Sequence, residues 1–125
     1  MSNDEINRKI AVIFATDLVG YSKHMEKDED ATLASLNDCN KIIEPLIKKQ
    51  KGRIFNTGGD SVFAEFPSAV AAVNTAVEFQ KQIKARNDKD TTEVKLEYRI
   101  GINMGDVVKE GDNLLNNNKS IKNFK

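Results

Sequence analysis

The chain has 125 residues, of which 39% are hydrophobic and 30% are charged, and its 19 basic and 19 acidic side chains cancel to a formal net charge of zero. This length predicts a single domain with enough apolar residues for a buried core, and the balanced charge argues against a nucleic-acid partner. The single cysteine, Cys39, excludes an internal disulfide, and no apolar run approaches the ~20 residues of a membrane-spanning helix, so we expect a cytoplasmic protein.

The first predicted strand follows a polar N-terminal segment, residues 1–8, which we expect to be disordered. Residues 9–15 are an almost continuous apolar run, which is typical of a strand buried on both faces. Because Asp17 follows this run after only Thr16, its carboxylate is predicted to lie at the end of the strand.

Helical spacing of apolar residues comes next, with a short helix predicted over residues 22–27 and a longer helix after it. Asp28 or Asp30 is predicted to cap the longer helix, and Gly52 is predicted to end it as the C′ residue. Pro45 predicts a kink or a local distortion within this helix. The predicted buried face consists of Leu33, Leu36, Ile43, Leu46 and Ile47.

A hairpin is predicted next, with strands over residues 53–56 and 61–66 and a turn at Gly58-Gly59 that carries Asp60 at its tip. Ser68 is predicted to cap the helix that follows. The residues predicted to pack this helix are Val70, Val73, Val77, Phe79 and Ile83.

Residues 95–102 alternate apolar and charged side chains, which predicts a half-buried strand. Gly105-Asp106 predicts a turn, and Val107 predicts the start of another strand. Residues 113–125 are rich in Asn and Lys without a sustained period, so we expect a disordered or poorly packed tail. The structured domain is therefore predicted to span residues 9–112.

The predicted element order is β-α-β-β-α-β, which is the ferredoxin-like arrangement of the α+β class. In this topology the first and third strands are central antiparallel neighbours. The end of the first strand therefore lies beside the start of the third. Since Asp17 and Asp60 occupy these two positions, we expect their carboxylates to meet.

Either aspartate taken alone has an ordinary explanation as a cap or turn residue, so the chemical prediction depends on the two together. Two carboxylates suit Mg²⁺, which binds through one or two such groups plus substrate phosphates. The turn after Asp17 offers backbone N–H groups that suit phosphate oxygens. Asp106 is expected to be a turn residue, although it could supply a third carboxylate, and His24 is expected to be a solvated surface group.

Three segments resemble the catalytic domain of class III adenylate and guanylate cyclases. They are residues 14–22 (FATDLVGYS), 57–66 (TGGDSVFAEF) and 98–107 (YRIGINMGDV). The resemblance covers residues 10–112 and implies conversion of a nucleoside triphosphate to its 3′,5′-cyclic monophosphate and pyrophosphate, for intracellular signalling. It also implies a site at a dimer interface, formed with a second copy of the chain or with another cyclase domain.

The resemblance assigns roles to individual residues around the two aspartates. It implies that Asp17 and Asp60 bind Mg²⁺ or Mn²⁺ together with the Leu18 carbonyl oxygen. The residues that it places against the nucleotide are Val19, Gly20 and Tyr21 at the phosphates and Asn56 near the base. Many members carry a purine-reading lysine where this chain has Asn56, so the adenine selectivity of those members cannot be carried over. ATP is the expected substrate, and GTP stays an alternative.

The resemblance fails after residue 112. The family continues there with a Gly-containing stretch, a helix that carries the transition-state Asn and Arg, and the last strands, none of which residues 113–125 match. We therefore assign no catalytic residue and expect this chain alone to be weakly active or inactive.

Two alternatives stay open on the sequence. One is a degenerate cyclase homology module that binds nucleotide or a partner domain. The other is a diguanylate cyclase-like enzyme, which shares the Gly58-Gly59-Asp60 turn but normally continues with Glu-Phe, where this chain has Ser61-Val62.

Overall fold

The computed structural model describes residues 8–89, 94–110 and 113–116, so the predictions for residues 1–7 and 117–125 lie outside the described part of the chain. The elements in chain order are β1 (Arg8–Leu18), α1 (Tyr21–Lys27), α2 (Glu29–Lys49), β2 (Arg53–Gly58), β3 (Ser61–Phe66), α3 (Ala69–Lys89), β4 (Tyr98–Glu110) and β5 (Asn113–Asn116). The strands form one antiparallel sheet in the order β2-β3-β1-β4-β5. The predicted α+β class and ferredoxin-like order are thus confirmed, with β5 added at one edge. No helix within these ranges is both long and apolar enough to span a membrane.

β1 is the central strand, and it is buried on both faces as predicted. Ile13 and Phe14 point to opposite faces of the sheet and are both almost fully buried. The Phe14 face carries the main core, where side chains of α2 and α3 pack against the sheet. β1 runs further than its apolar residues predict, because β4 pairs with it along its whole length, from Arg8↔Val108 to Leu18↔Tyr98.

The start and the core face of α2 were partly predicted by its sequence pattern. Asp28 caps the helix as expected, since its carboxylate accepts a 3.0 Å hydrogen bond from the Ala31 N–H group. Leu33 was predicted to be buried and is 42% exposed, whereas Thr32, Ser35 and Cys39 occupy the buried face instead. The helix continues past Pro45 without interruption to Lys49.

The end of α2 differs from the prediction, because the left-handed residue is Lys51, with φ of 63°, and not Gly52. Lys51 and Gly52 donate their N–H groups to the carbonyls of Lys48 and Ile47, at 2.9 and 2.8 Å, which is the bonding of a Schellman motif. Gly52 is needed for a different reason. A Cβ atom at this position would lie 2.7 Å from the Phe66 ring and 2.8 Å from the Ile47 side chain.

Replacing Gly52 with alanine is therefore expected to destabilise the fold by about 1–3 kcal/mol, because the new methyl group overpacks the core between α2 and β3. Gly58→Ala is the matched control, since a Cβ atom there meets nothing within 4 Å. Urea denaturation of both variants measures the difference. Equal stability of the two variants would show that the contact with Phe66 relaxes without cost.

α3 is capped by Ser68, whose Oγ accepts a 3.1 Å hydrogen bond from the Ala71 N–H group, as predicted. Its buried face, however, is rotated away from the predicted valines. Val70, Val73 and Val77 are 69%, 47% and 54% exposed. The residues that pack inward are Ala71, Ala72, Thr75, Phe79 and Ile83. Phe79 and Ile83 were predicted correctly, and the small residues Ala71, Ala72 and Thr75 take the place of the predicted valines.

β4 also departs from its prediction. Buried Val94, Leu96 and Tyr98 alternate with exposed residues as expected, but the strand itself begins at Tyr98. It then continues straight through Gly105-Asp106, where a turn was predicted, because Gly105 pairs with Ala11 in β1. Asn113–Asn116, placed in the predicted tail, form β5 along β4. Arg8, placed in the predicted disordered segment, already belongs to β1.

Candidate active site

Asp17 lies in the last part of β1, directly across from Arg99 in β4. Its side chain points to the face opposite Phe14 and Leu18, away from the helix-covered core. The Arg99 guanidinium donates a 2.6 Å hydrogen bond to Asp17 Oδ2, and the two side chains are 46% and 29% exposed. The carboxylate is therefore oriented by a neighbouring cation and still reaches the surface of the sheet.

Asp60 lies in the two-residue turn between β2 and β3, where Gly58 pairs with Ser61. Beyond the last pair of β1 with β3, Ala15 with Phe63, Asp17 lies two residues further along β1 and Asp60 lies three residues before Phe63. The pKa of Tyr98, which pairs with Leu18, is raised mainly by burial. Cys39 and the negative charge of Asp60 raise this pKa further, and the charge of Arg86 lowers it. Both aspartates thus lie at one end of the β1–β3 pair.

The turn after β1 is built around Gly20, which precedes α1 with φ of 68°. This left-handed conformation is strained for other residues, and no atom lies within 4 Å of where a Cβ atom would stand, so the turn is open. The Val19 N–H group, expected to face phosphate, instead donates a 2.8 Å hydrogen bond to the Glu97 carbonyl. Of the three residues predicted to contact phosphate, Gly20 and Tyr21 therefore remain as those whose backbone N–H groups lie at the open turn.

Three further residues considered for the site are Asn56, His24 and Asp106. Asn56 is exposed in β2 just after a register irregularity and pairs with Phe63 in β3. His24, expected to be a solvated surface group, is partly exposed and partly buried in α1. Asp106 cannot join the aspartate pair, because it lies opposite Ile10. This is seven residues before Asp17 in β1, or roughly 23 Å along the strand.

The donor set fits a hard divalent cation. Among the described residues, no group of three or more His, Cys, Asp and Glu side chains is arranged to hold a metal ion. A metal at this site would therefore depend on the two aspartates and on neutral oxygens such as the Leu18 carbonyl and substrate phosphates. Mg²⁺ is commonly bound in this way, through one or two carboxylates.

Arg99 is the site residue that the sequence pattern did not single out. It occupies an exposed position of the alternating β4 segment, where a charged residue is ordinarily explained by contact with solvent. The signal that would have found it is the register, because the β1–β4 pairing sets Arg99 opposite Asp17.

Known proteins are similar to this chain in sequence. A family model described as "Adenylate and Guanylate cyclase catalytic domain" matches residues 3–116. "Putative adenylate cyclase 3" from Rhizobium meliloti (strain 1021) is 36% identical over 122 residues, which make up 97% of this chain and 21% of that protein. The chain thus spans about a fifth of the length of this curated relative.

Solved structures share the fold. The crystal structure of an adenylate/guanylate cyclase/hydrolase from Silicibacter pomeroyi has a TM-score of 0.79 at 34% identity, and the match covers 88% of this chain and 64% of that one. The adenylyl cyclase CyaB from P. aeruginosa has a TM-score of 0.68 at 26% identity, and the match covers 87% of this chain and 64% of that one.

These matches decide between the two families that share a Gly-Gly-Asp turn, since they favour the class III cyclases over the diguanylate cyclases. The chain belongs to the adenylate and guanylate cyclase catalytic domain family.

Proposed function

We propose that these residues form the metal- and triphosphate-binding part of a nucleotide cyclase site, which converts a nucleoside triphosphate to its 3′,5′-cyclic monophosphate and pyrophosphate. The observation that carries this proposal is the position of Asp17 and Asp60 at one end of the β1–β3 pair. The open Gly20 turn directly follows that end of β1.

Asp17 and Asp60 bind Mg²⁺ or Mn²⁺ through their carboxylate oxygens, with the Leu18 carbonyl as a further ligand. When bound, such ions activate the attacking hydroxyl and stabilise the charge of the leaving pyrophosphate. The contribution of the chain itself is to hold one carboxylate near the end of β1 and the other in the β2–β3 turn. The Arg99 guanidinium, which donates a 2.6 Å hydrogen bond to Asp17 Oδ2, competes with the metal for that oxygen.

The triphosphate binds at the Gly20 turn. The backbone N–H groups of Gly20 and Tyr21 lie where the chain enters α1, and amides at such a junction suit phosphate oxygens. Arg99 adds a positive charge beside this position. The negative charge of two aspartates and a triphosphate is thus offset by the ions and by one guanidinium group.

ATP is the proposed substrate and GTP is the alternative. The side-chain amide of Asn56 offers both donors and an acceptor, so it can hydrogen-bond to either purine. The site is proposed to work as a homodimer or in a pair with another cyclase domain, in the cytoplasm. Among the described residues the proposed roles are metal and phosphate binding, and none is assigned to stabilising the transition state. One preorganised group of that kind contributes roughly 10²–10³ in rate, so these residues by themselves are proposed to turn over slowly or not at all.

The second candidate function is a module that binds nucleotide or a partner without turnover, since the roles proposed for Asp17, Asp60 and the Gly20 turn are all binding roles. Calorimetry with Mn²⁺ and non-hydrolysable analogues of ATP and GTP tests binding, and product analysis with the natural nucleotides tests turnover. Tighter binding of the ATP analogue is the expected result. A chain that binds neither analogue contradicts the proposed function and leaves only the partner-binding role.

A further inference from the structure

The pairing of β1 with β3 stops short of the two aspartates. The last paired residues are Ala15 and Phe63, although β1 continues to Leu18 along β4. One residue beyond this last pair, the Val62 N–H group donates a 3.0 Å hydrogen bond to Oγ1 of Thr16. A side-chain oxygen therefore links the two strands where the ladder of paired residues has ended.

This hydrogen bond is placed to resist competition by water. The Thr16 side chain is almost fully buried, and the bond itself is buried. If Oγ1 were removed, the buried N–H group of Val62 would lose its acceptor, which is unfavourable in a way that an exposed group would not be. Thr16 directly precedes Asp17 in β1, and Val62 follows Asp60 by two residues in β3. The bond thus joins the two short segments that carry the aspartates.

We propose that Thr16 is a positioning residue of the metal site, which fixes the separation between the end of β1 and the β2–β3 turn so that Asp17 and Asp60 bind the same ions. This role rests on the proposed function, because its consequence is metal affinity. Thr16 is proposed to contact neither the metal nor the nucleotide. It acts through Val62, and so through the position of the turn that carries Asp60.

Calorimetric titration with Mn²⁺ tests this role in three variants. Thr16→Val keeps the shape of the side chain but removes the acceptor, and it is expected to weaken Mn²⁺ binding about tenfold, as removal of supporting groups around metal ligands does. Thr16→Ser keeps the oxygen and is expected to restore wild-type affinity. Thr75→Val is the matched control, because Thr75 is a buried threonine whose hydroxyl bonds to Ala71 within α3. It is expected to leave Mn²⁺ affinity unchanged.

Hydrogen exchange of the Val62 amide gives a measurement that does not depend on metal or on the folding of Thr16→Val. In the wild-type chain this amide is expected to be protected, and the protection is expected to survive in Thr16→Ser. Free exchange of the Val62 amide in the wild-type chain overturns the role of Thr16 whatever the metal does.

The calorimetric outcomes separate this inference from the proposed function. A wild-type chain that binds no Mn²⁺ overturns the proposed function and the role of Thr16 with it. A wild-type chain that binds Mn²⁺, together with a Thr16→Val variant that binds it equally well, overturns only the role of Thr16. An equal loss in Thr16→Val and Thr75→Val overturns it too, because the effect would then follow general destabilisation.

Discussion

Replacing Asp17 with asparagine is expected to weaken Mn²⁺ binding by about 100-fold or more, above the loss caused by removing a supporting group near a metal. The amide oxygen can still coordinate weakly, but it carries no charge. The substitution also removes the carboxylate to which Arg99 donates, so the guanidinium charge is left uncompensated beside the metal position. Both effects act against a cation. Calorimetric titration with Mn²⁺, with and without a non-hydrolysable ATP analogue, measures the loss.

Asp88→Asn is the control for this substitution. Asp88 forms an exposed ion pair with Lys84 within α3, so its loss changes the net charge equally without touching the site. Its Mn²⁺ affinity is expected to equal that of the wild-type chain. Asp60→Asn is expected to reproduce the loss seen in Asp17→Asn, because the two carboxylates share the ions. If only one of the two substitutions weakens Mn²⁺ binding, the aspartates do not form a common site.

The position of the aspartate pair is predictable from the sequence because it follows from strand order. An apolar strand that ends at Asp17 and a hairpin that turns at Asp60 suffice, once β1 and β3 are neighbours in the sheet. Strand register determines side-chain contacts that strand order alone does not predict. Arg99 and Thr16 are ordinary residues in their own segments, and their contacts appear only when β4 and β3 are aligned with β1.

The errors in the helices and strand ends have related physical causes. In α3 the valines are more hydrophobic than the alanines, but Ala72 is fully buried and Val70 is largely exposed. The space between helix and sheet at these positions suits the smaller side chain. A pattern of hydrophobicity alone does not reveal that preference. Gly105 was predicted to turn the chain, yet pairing with Ala11 in β1 holds it in a strand. Tertiary pairing thus overrides a local turn preference.

The metal half of the site implies an exchange of partners at Asp17. In the structure the Arg99 guanidinium donates to Asp17 Oδ2 at 2.6 Å, and a metal ion needs the same carboxylate. Metal binding alone must therefore compete with this ion pair. When a triphosphate is present, the displaced guanidinium gains a new anionic acceptor. Arg99 should therefore weaken the binding of the metal alone and strengthen the binding of the metal together with the nucleotide.

Arg99→Gln is therefore expected to change two affinities in opposite directions. Binding of Mn²⁺ alone should become about fivefold tighter, the order of an exposed ion pair that no longer has to be broken. Binding of the ATP analogue in the presence of Mn²⁺ should become about tenfold weaker, as expected when one charged hydrogen bond is lost. Calorimetry of the two titrations on one protein preparation gives both values.

Arg53→Gln is the matched control, because Arg53 also pairs across strands with a carboxylate, Glu65, at 2.6 Å. It removes the same charge from the neighbouring strand pair, so any general effect of charge or of a lost cross-strand ion pair appears in it as well. Opposite changes confined to Arg99→Gln would establish that this arginine exchanges a carboxylate for phosphate. Losses in both titrations would instead mean that Arg99 only supports the shape of the strand end. The second titration therefore decides, since loss of a nearby positive charge tightens cation binding by itself, whereas weaker nucleotide binding confined to Arg99→Gln indicates that this charge acts on the phosphates.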